Sequence, residues 1–108
     1  MKMIMSIIDD MDTFSLLDAL SERGFQATKL ASSGGFLRRG NTTLLIGVED
    51  DKKEEVLGII ERICMPRKQF VPMSPVMSIE DNVNPVDVMV QMGGATTFVM
   101  DVVENYKL

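Results

Sequence analysis

One stretch of the chain, from Gly24 to Gly47, combines the residue types needed to hold an anion. It contains Lys29, Arg38 and Arg39 and no carboxylate, so it is locally +3 in a chain of net charge −5. At its centre Ser32-Ser33-Gly34-Gly35 is a turn sequence whose successive backbone N–H groups can converge on one point and form an anion-binding concavity. Thr28, Asn41, Thr42 and Thr43 add hydroxyl and amide groups suited to phosphate oxygens, ribose or the edge of a base. Phe36, next to the glycine pair, can stack on a base. Together these point to a phosphorylated, base-bearing ligand. An ordinary hairpin with a solvated basic tip uses the same residues, and on composition alone that hairpin is the expected reading. Neither the G-x-x-x-x-G-K-[ST] loop nor the G-x-G-x-x-G fingerprint occurs.

Other chemistries are narrower. With no histidine and a single cysteine, Ser-His-Asp and Cys-His catalysis, His/Cys zinc sites and an intramolecular disulfide are all excluded within the chain. Cys64 falls on the apolar side of a helical pattern and reads as packing. Two carboxylate groups, Asp9-Asp10 with Asp12 and Glu49-Asp50-Asp51, could serve a small enzyme or a metal. Both lie where helix starts favour negative charge, so capping is the expectation, with no metal, no cofactor and no catalysis. The acidic balance argues against non-specific binding to nucleic acid or anionic membranes. The first apolar run stops at Asp9-Asp10, and no run reaches the roughly 18 residues of a membrane span. A cytoplasmic protein is expected. The ten methionines read mainly as core filling, with some at a subunit contact.

The elements that must position these residues follow from periodicity. At 108 residues, one domain over 1–108 is expected. Lys2–Ile8 reads as a central strand buried on both faces. A helix follows, with Phe14, Leu17 and Leu20 on its apolar stripe, Leu16 beside them, and an end at Arg23-Gly24. Phe25–Ala31 and Asn41–Val48 read as paired strands, with Phe36–Arg39 extending the first or forming a short strand between them. Asp51 with Glu54 fits a capping box, and Val56, Ile59, Ile60 and Ile63 give a one-sided helix closed by Pro66. Gln69–Met73 is a further short strand. A long loop runs from Pro72 to Pro85. Val86, Val88 and Val90 alternate as a half-buried strand, Gly93-Gly94 supplies a turn or bulge, and Thr97–Val103 resumes as strand. The order is α+β, the ferredoxin-like βαββαβ sandwich with extra short strands and a long loop before the final ones. Its two helices cover one sheet face, and the other needs a partner or the C-terminal strands.

The run Ala27-Thr28-Lys29-Leu30-Ala31-Ser32-Ser33-Gly34-Gly35-Phe36-Leu37-Arg38-Arg39-Gly40-Asn41-Thr42-Thr43 resembles the PII-like cyclic di-AMP receptors of Gram-positive bacteria. So do Gly93-Gly94-Ala95-Thr96-Thr97-Phe98-Val99-Met100, the start Met1-Lys2-Met3-Ile4, and the Gly47-Val48-x-Asp50-Asp51 step. The resemblance implies a non-enzymatic nucleotide second-messenger sensor. It would be a homotrimer with cyclic di-AMP in clefts between subunits, signalling through loop rearrangement to a downstream protein whose identity the resemblance leaves open. It also implies a shortened loop between the second and third strands and an enlarged one before the final strands.

Carried over by position, Thr28 would bond phosphate or ribose, and Gly35, Phe36 and Leu37 would line an adenine site. Asn41 would recognise a polar edge, Gly47 would permit close approach and Phe98 would supply an apolar wall. Where the family's receptors carry asparagine and arginine near the start of the second strand, this chain has Gly24 and Gln26. Losing the arginine removes a charge-assisted hydrogen bond of roughly 1.5–3 kcal/mol, or one to two orders of magnitude in affinity. Arg39 compensates if the loop brings it to the same cleft. The ending Tyr106-Lys107-Leu108 also departs from the family's. A PII-like adaptor that has lost cyclic di-AMP and binds another nucleotide, or only a protein, is the alternative these positions keep open.

Overall fold

The structure is a computed structural model that describes residues 1–32, 40–72 and 87–108. The expected Ser33–Gly35 turn, the Phe36–Arg39 segment, Met73, the 73–85 part of the long loop and Val86 lie outside the described residues. Eight elements run in the order β1 (Lys2–Asp9), α1 (Thr13–Glu22), β2 (Ala27–Ser32), β3 (Asn41–Val48), α2 (Lys53–Ile63), β4 (Arg67–Pro72), β5 (Asp87–Met92) and β6 (Ala95–Asp101). Short 3-10 turns, Asp10–Asp12 and Asp50–Lys52, lead into the two helices.

β1, β2, β3 and β6 form one antiparallel sheet in the order β2-β3-β1-β6, and β4 and β5 form a separate antiparallel pair. This is the ferredoxin-like arrangement with one change in connectivity. The strand after α2 does not return to the sheet; it makes a hairpin of its own, and β6 takes the place beside β1. Along β1 the alternation of a strand puts Ile4, Ser6 and Ile8 on one face. They meet Leu44, Ile46 and Val48 of β3 and the buried Leu16, Leu20, Val56, Ile59 and Ile60 of the helices, with Cys64 completing the core. The residues between them, Met3, Met5 and Ile7, are only half-buried, because both helices lie on the other side. β1 is therefore central but buried on one face, not two.

The helix ends differ in detail from their sequence signals. α1 closes as expected: Gly24 has φ 81°, the Gly24 N–H reaches the Ser21 carbonyl at 3.0 Å, and the Phe25 N–H reaches Leu20 at 2.9 Å. That pair of bonds is a Schellman motif, which needs a residue tolerant of the left-handed conformation. Phe14, expected on the apolar stripe, is instead 81% exposed, and Leu16 and Leu20 carry the packing. Asp9 caps the first 3-10 turn by accepting from the Met11 N–H at 3.0 Å. The Asp51–Glu54 capping box does not form. α2 begins at Lys53 after a 3-10 turn and has no side-chain cap, and Glu54 pairs with Lys53 at 3.3 Å. Cys64 is 2% exposed, and burial pushes its thiol up to about 11, consistent with a packing role. No described helix is long and apolar enough to cross a membrane.

Candidate functional site

Strand register decides which of the expected ligand residues can act together. Thr28 lies opposite Leu45, Leu45 opposite Met5, and Met5 opposite Phe98. One row thus crosses all four strands on the face without helices. Neighbouring rows on the same face hold Gly47, Met3 and Met100 on one side, and Thr43, Ile7 and Thr96 on the other. Asn41 stands at the end of β3 opposite Asp9. Gln26 immediately precedes β2 and is exposed. Four residues expected in the site, Gly35, Phe36, Leu37 and Arg39, lie outside the described residues.

The row is not a compact pocket. With strands about 4.8 Å apart, Thr28 and Phe98 stand about 14 Å from each other, on the two edge strands of the sheet. Along β3 the rise of about 3.4 Å per residue separates Asn41 from Gly47 by about 20 Å. The expected residues therefore share a face without sharing a point, and no single base can touch Thr28 and Phe98 of the same copy. Lys29, read as a source of positive charge, pairs with the core residue Leu44 and so falls on the opposite face of β2 from Thr28.

This face is strongly apolar. Phe98 is 49% exposed and Met100 41% exposed. Met3, Met5, Ile7 and Leu45 are half-buried. Gly47 interrupts this surface; a Cβ there would come within 3.4 Å of the Met1 side chain, so a side chain would narrow the approach to the sheet. The two positions that depart from the family pattern have different characters. Gly24 occupies the helix cap at positive φ, where glycine and asparagine are the two residues that fit. Its identity is explained by the backbone. Gln26 is an exposed neutral residue with no such explanation.

Of the acidic residues weighed for catalysis, Asp9, Asp10, Asp12 and Asp50 are engaged in structure. Asp12 is forked by Arg67, with Nη2 to Oδ1 at 2.6 Å and Nη1 to Oδ2 at 3.3 Å. Asp10 accepts from the Thr42 hydroxyl at 2.5 Å, and its N–H donates to the Gly40 carbonyl at 3.0 Å. Asp9 accepts from the Gly93 N–H at 3.3 Å. In the second group, Asp50 faces the Met1 ammonium at 2.9 Å, which holds its carboxyl below the usual range. Sequence periodicity identified these carboxylates as helix-start residues. It carried no signal that Asp12 would find Arg67, 55 positions away.

Two helices on one face of an antiparallel β2-β3-β1-β6 sheet, with the other face open, give this chain a small ferredoxin-like, PII-like fold. The same architecture occurs in a crystal structure of a functionally unknown protein from Pediococcus pentosaceus. That protein is 36% identical, with a TM-score of 0.75, over 99% of this chain and 96% of the other. The cyclic-di-AMP receptor family matches residues 1–108, the whole length, and the chain belongs to that family. Membership supports a signalling protein that takes cyclic di-AMP as its ligand.

Proposed function

We propose that the protein is a non-enzymatic cyclic di-AMP sensor that works as a homotrimer, with each ligand held between two copies. The observation that carries this reading is the placement of Thr28 and Phe98 on opposite edges of one sheet face. A ligand touching both must take Thr28 from one copy and Phe98 from the next, and a closed ring of copies supplies that junction at every interface. The apolar surface of Met3, Met5, Ile7, Leu45, Phe98 and Met100 is the kind of patch that soluble monomers rarely leave open, and a ring covers it. In this arrangement Thr28 bonds a phosphate or ribose oxygen, Phe98 walls a base, Gly47 admits close approach and Asn41 reads a polar edge. The segment carrying Gly35, Phe36, Leu37 and Arg39 supplies the remaining contacts, and loop rearrangement passes the signal to a downstream protein. No turnover is assigned; Asp9, Asp10, Asp12 and Asp50 hold backbone, side-chain or terminal-ammonium partners.

Isothermal titration with cyclic di-AMP, with ATP and cyclic di-GMP as controls, tests the reading. Selective binding near one ligand per chain is expected, with sedimentation giving three chains per particle. Absence of heat with cyclic di-AMP, together with binding of another adenine nucleotide or of none, would replace it with the adaptor that Gln26 keeps open.

A further inference from the structure

The three aspartates at the end of β1 join two parts of the molecule that are far apart in sequence. On one side, the Asp10 N–H holds the Gly40 carbonyl at 3.0 Å and Asp10 Oδ1 accepts from Thr42, which fixes the entry of β3 where Asn41 stands. On the other, Asp12 is gripped by the guanidinium of Arg67, the first residue of β4. The same guanidinium donates to the Met65 carbonyl at 3.2 Å. Asp9 completes the joint by accepting from Gly93 at the end of the hairpin, while the Gly94 N–H reaches the Cys64 carbonyl at 2.5 Å. Both ends of the β4–β5 hairpin and the base of the Gly24–Gly47 segment are thus tied to four consecutive residues.

The position of these contacts gives them weight. Asp12 is almost fully buried, with a side chain 4% exposed, whereas Arg67 is partly open to solvent. A buried carboxylate deprived of its partner is strongly destabilised, unlike a surface pair. Away from its base, where Met92 is buried, the hairpin is open among the described residues: Phe70 and Met89 lie opposite each other and are 60% and 52% exposed, and an isolated two-stranded ribbon is barely stable in water. Its attitude to the sheet is set by its two ends, and both ends meet the aspartate segment.

We propose that Asp12 and Arg67 are positioning residues that couple the ligand end of the sheet, at Gly40–Thr42, to the β4–β5 hairpin. The joint is the route by which cyclic di-AMP changes the surface that the hairpin presents to a protein partner. This use rests on the sensor reading above, but the mechanical coupling does not require it. Coupling through contiguous hydrogen bonds is reciprocal, so a change at the hairpin must also be felt at the ligand end.

Hydrogen–deuterium exchange on the full chain at fixed concentration reads the joint without ligand. In Arg67→Gln, exchange in β4 and β5 is expected to rise, and the Asp10 amide, which reports on Gly40, is expected to exchange at least about tenfold faster. Arg67→Lys keeps the charge, loses the fork and should fall between; it also serves if Arg67→Gln fails to fold. Arg23→Gln removes an ion pair to Glu55 on another part of the surface and should leave Asp10 unchanged. A loosened hairpin with unaltered Asp10 exchange overturns the coupling. In the second arm, cyclic di-AMP should slow exchange in β4 and β5 of the parent chain, and Arg67→Gln should bind with no such response. Persistence of the response in Arg67→Gln, or its absence in a parent chain that binds ligand, also overturns the proposal. A parent chain that binds no cyclic di-AMP refutes the sensor reading instead, and the ligand-free comparison then decides the joint alone.

Discussion

Gly93 and Gly24 provide a direct test of how the hairpin is seated on the rest of the protein. Both have positive φ, 89° and 81°, so alanine at either position carries the cost of the left-handed region, about 1–2 kcal/mol. Alanine also lowers the entropy of the unfolded chain, which returns about 0.4–1 kcal/mol at both sites. The net conformational cost is therefore about 1 kcal/mol and common to the two. Their surroundings differ. A Cβ on Gly24 meets nothing within 4 Å. A Cβ on Gly93 runs into the Met65 carbonyl oxygen and comes within 3.0 Å of Arg67 Nη1. The obstruction is backbone, which cannot swing aside, and moving it pulls on the Arg67–Asp12 fork and the Asp9–Gly93 bond. Overpacking of this kind costs a further 1–3 kcal/mol. Gly93→Ala should thus lose about 2–4 kcal/mol against about 1 kcal/mol for Gly24→Ala. At roughly 4–8 °C per kcal/mol for a domain of this size, the melting temperatures should separate by at least about 4 °C. Thermal unfolding by circular dichroism, at equal protein concentration because self-association shifts the midpoint, makes the comparison. Equal midpoints for the two variants would refute the seating of the glycine turn against Met65.

The remaining predictions follow from the open face, the buried thiol and the surface charges. Thr28→Val should weaken cyclic di-AMP about tenfold or more in titration calorimetry, the loss of one hydrogen bond to a charged group, with little change in melting temperature because Thr28 is exposed. Phe98→Asp places a carboxylate on the apolar face and should convert the proposed trimer to monomer in sedimentation velocity. Cys64, with its thiol raised to about 11 by burial, should carry about one thiolate in a thousand at pH 8 and resist an aromatic disulfide reagent until denaturant is added. Lys2 and Asp101 form a surface pair that raises the lysine and lowers the carboxyl. The carboxyl's stabilisation is therefore complete above its ordinary value of 3.8 and lost as pH falls through the lower folded value. That of the lysine is complete below 10.5 and lost as pH rises through the higher folded value. Comparing Asp101→Asn with the parent chain in thermal melts at neutral and acidic pH should show their difference shrinking toward acid.

The two helices, the paired second and third strands and the closing glycine of α1 were legible in the sequence because local forces determine them. Val56, Ile59 and Ile60 share one side of α2, Asn41–Val48 alternates cleanly into and out of the core, and Gly24 follows a basic residue at the helix end. What local pattern cannot encode is pairing over long separations. Whether the strand after α2 or the last strand joins β1 depends on side chains nearly a hundred positions apart, such as the Ser6 and Thr97 hydroxyls, 2.9 Å from each other. Phe14 departs from its expected place in the apolar stripe for a related reason. The helical period places it near the stripe, but tertiary packing selects Leu16 and Leu20, and an exposed aromatic is compatible with the same spacing. At the candidate site, residue types pointed to Thr28 and Asn41, the family resemblance added Gly47 and Phe98, and register sets all four on the sheet face without helices while separating them by distances that no composition or spacing reveals.

That separation has a consequence for how site variants must be read. The face that would hold ligand is also the face that would join copies, so a substitution such as Phe98→Asp removes an apolar contact for both purposes. Loss of binding in that variant would not distinguish a missing wall from a missing neighbour. Thr28 is different: it is a small polar residue on an edge strand, its row continues inward through Leu45 and Met5, and its hydroxyl contributes little to an apolar junction. A Thr28→Val chain that remains trimeric and loses affinity places the ligand at the β2 edge. Mixing it with Phe98→Leu, which shortens the wall without placing a charge at the junction and so still assembles, then tests whether the two residues act across the junction. If they do, mixed rings recover some intact sites, because one interface can combine the unaltered Thr28 of one copy with the unaltered Phe98 of the next. If both residues served one site within a single copy, every chain in the mixture would carry a defective site and mixing would restore nothing.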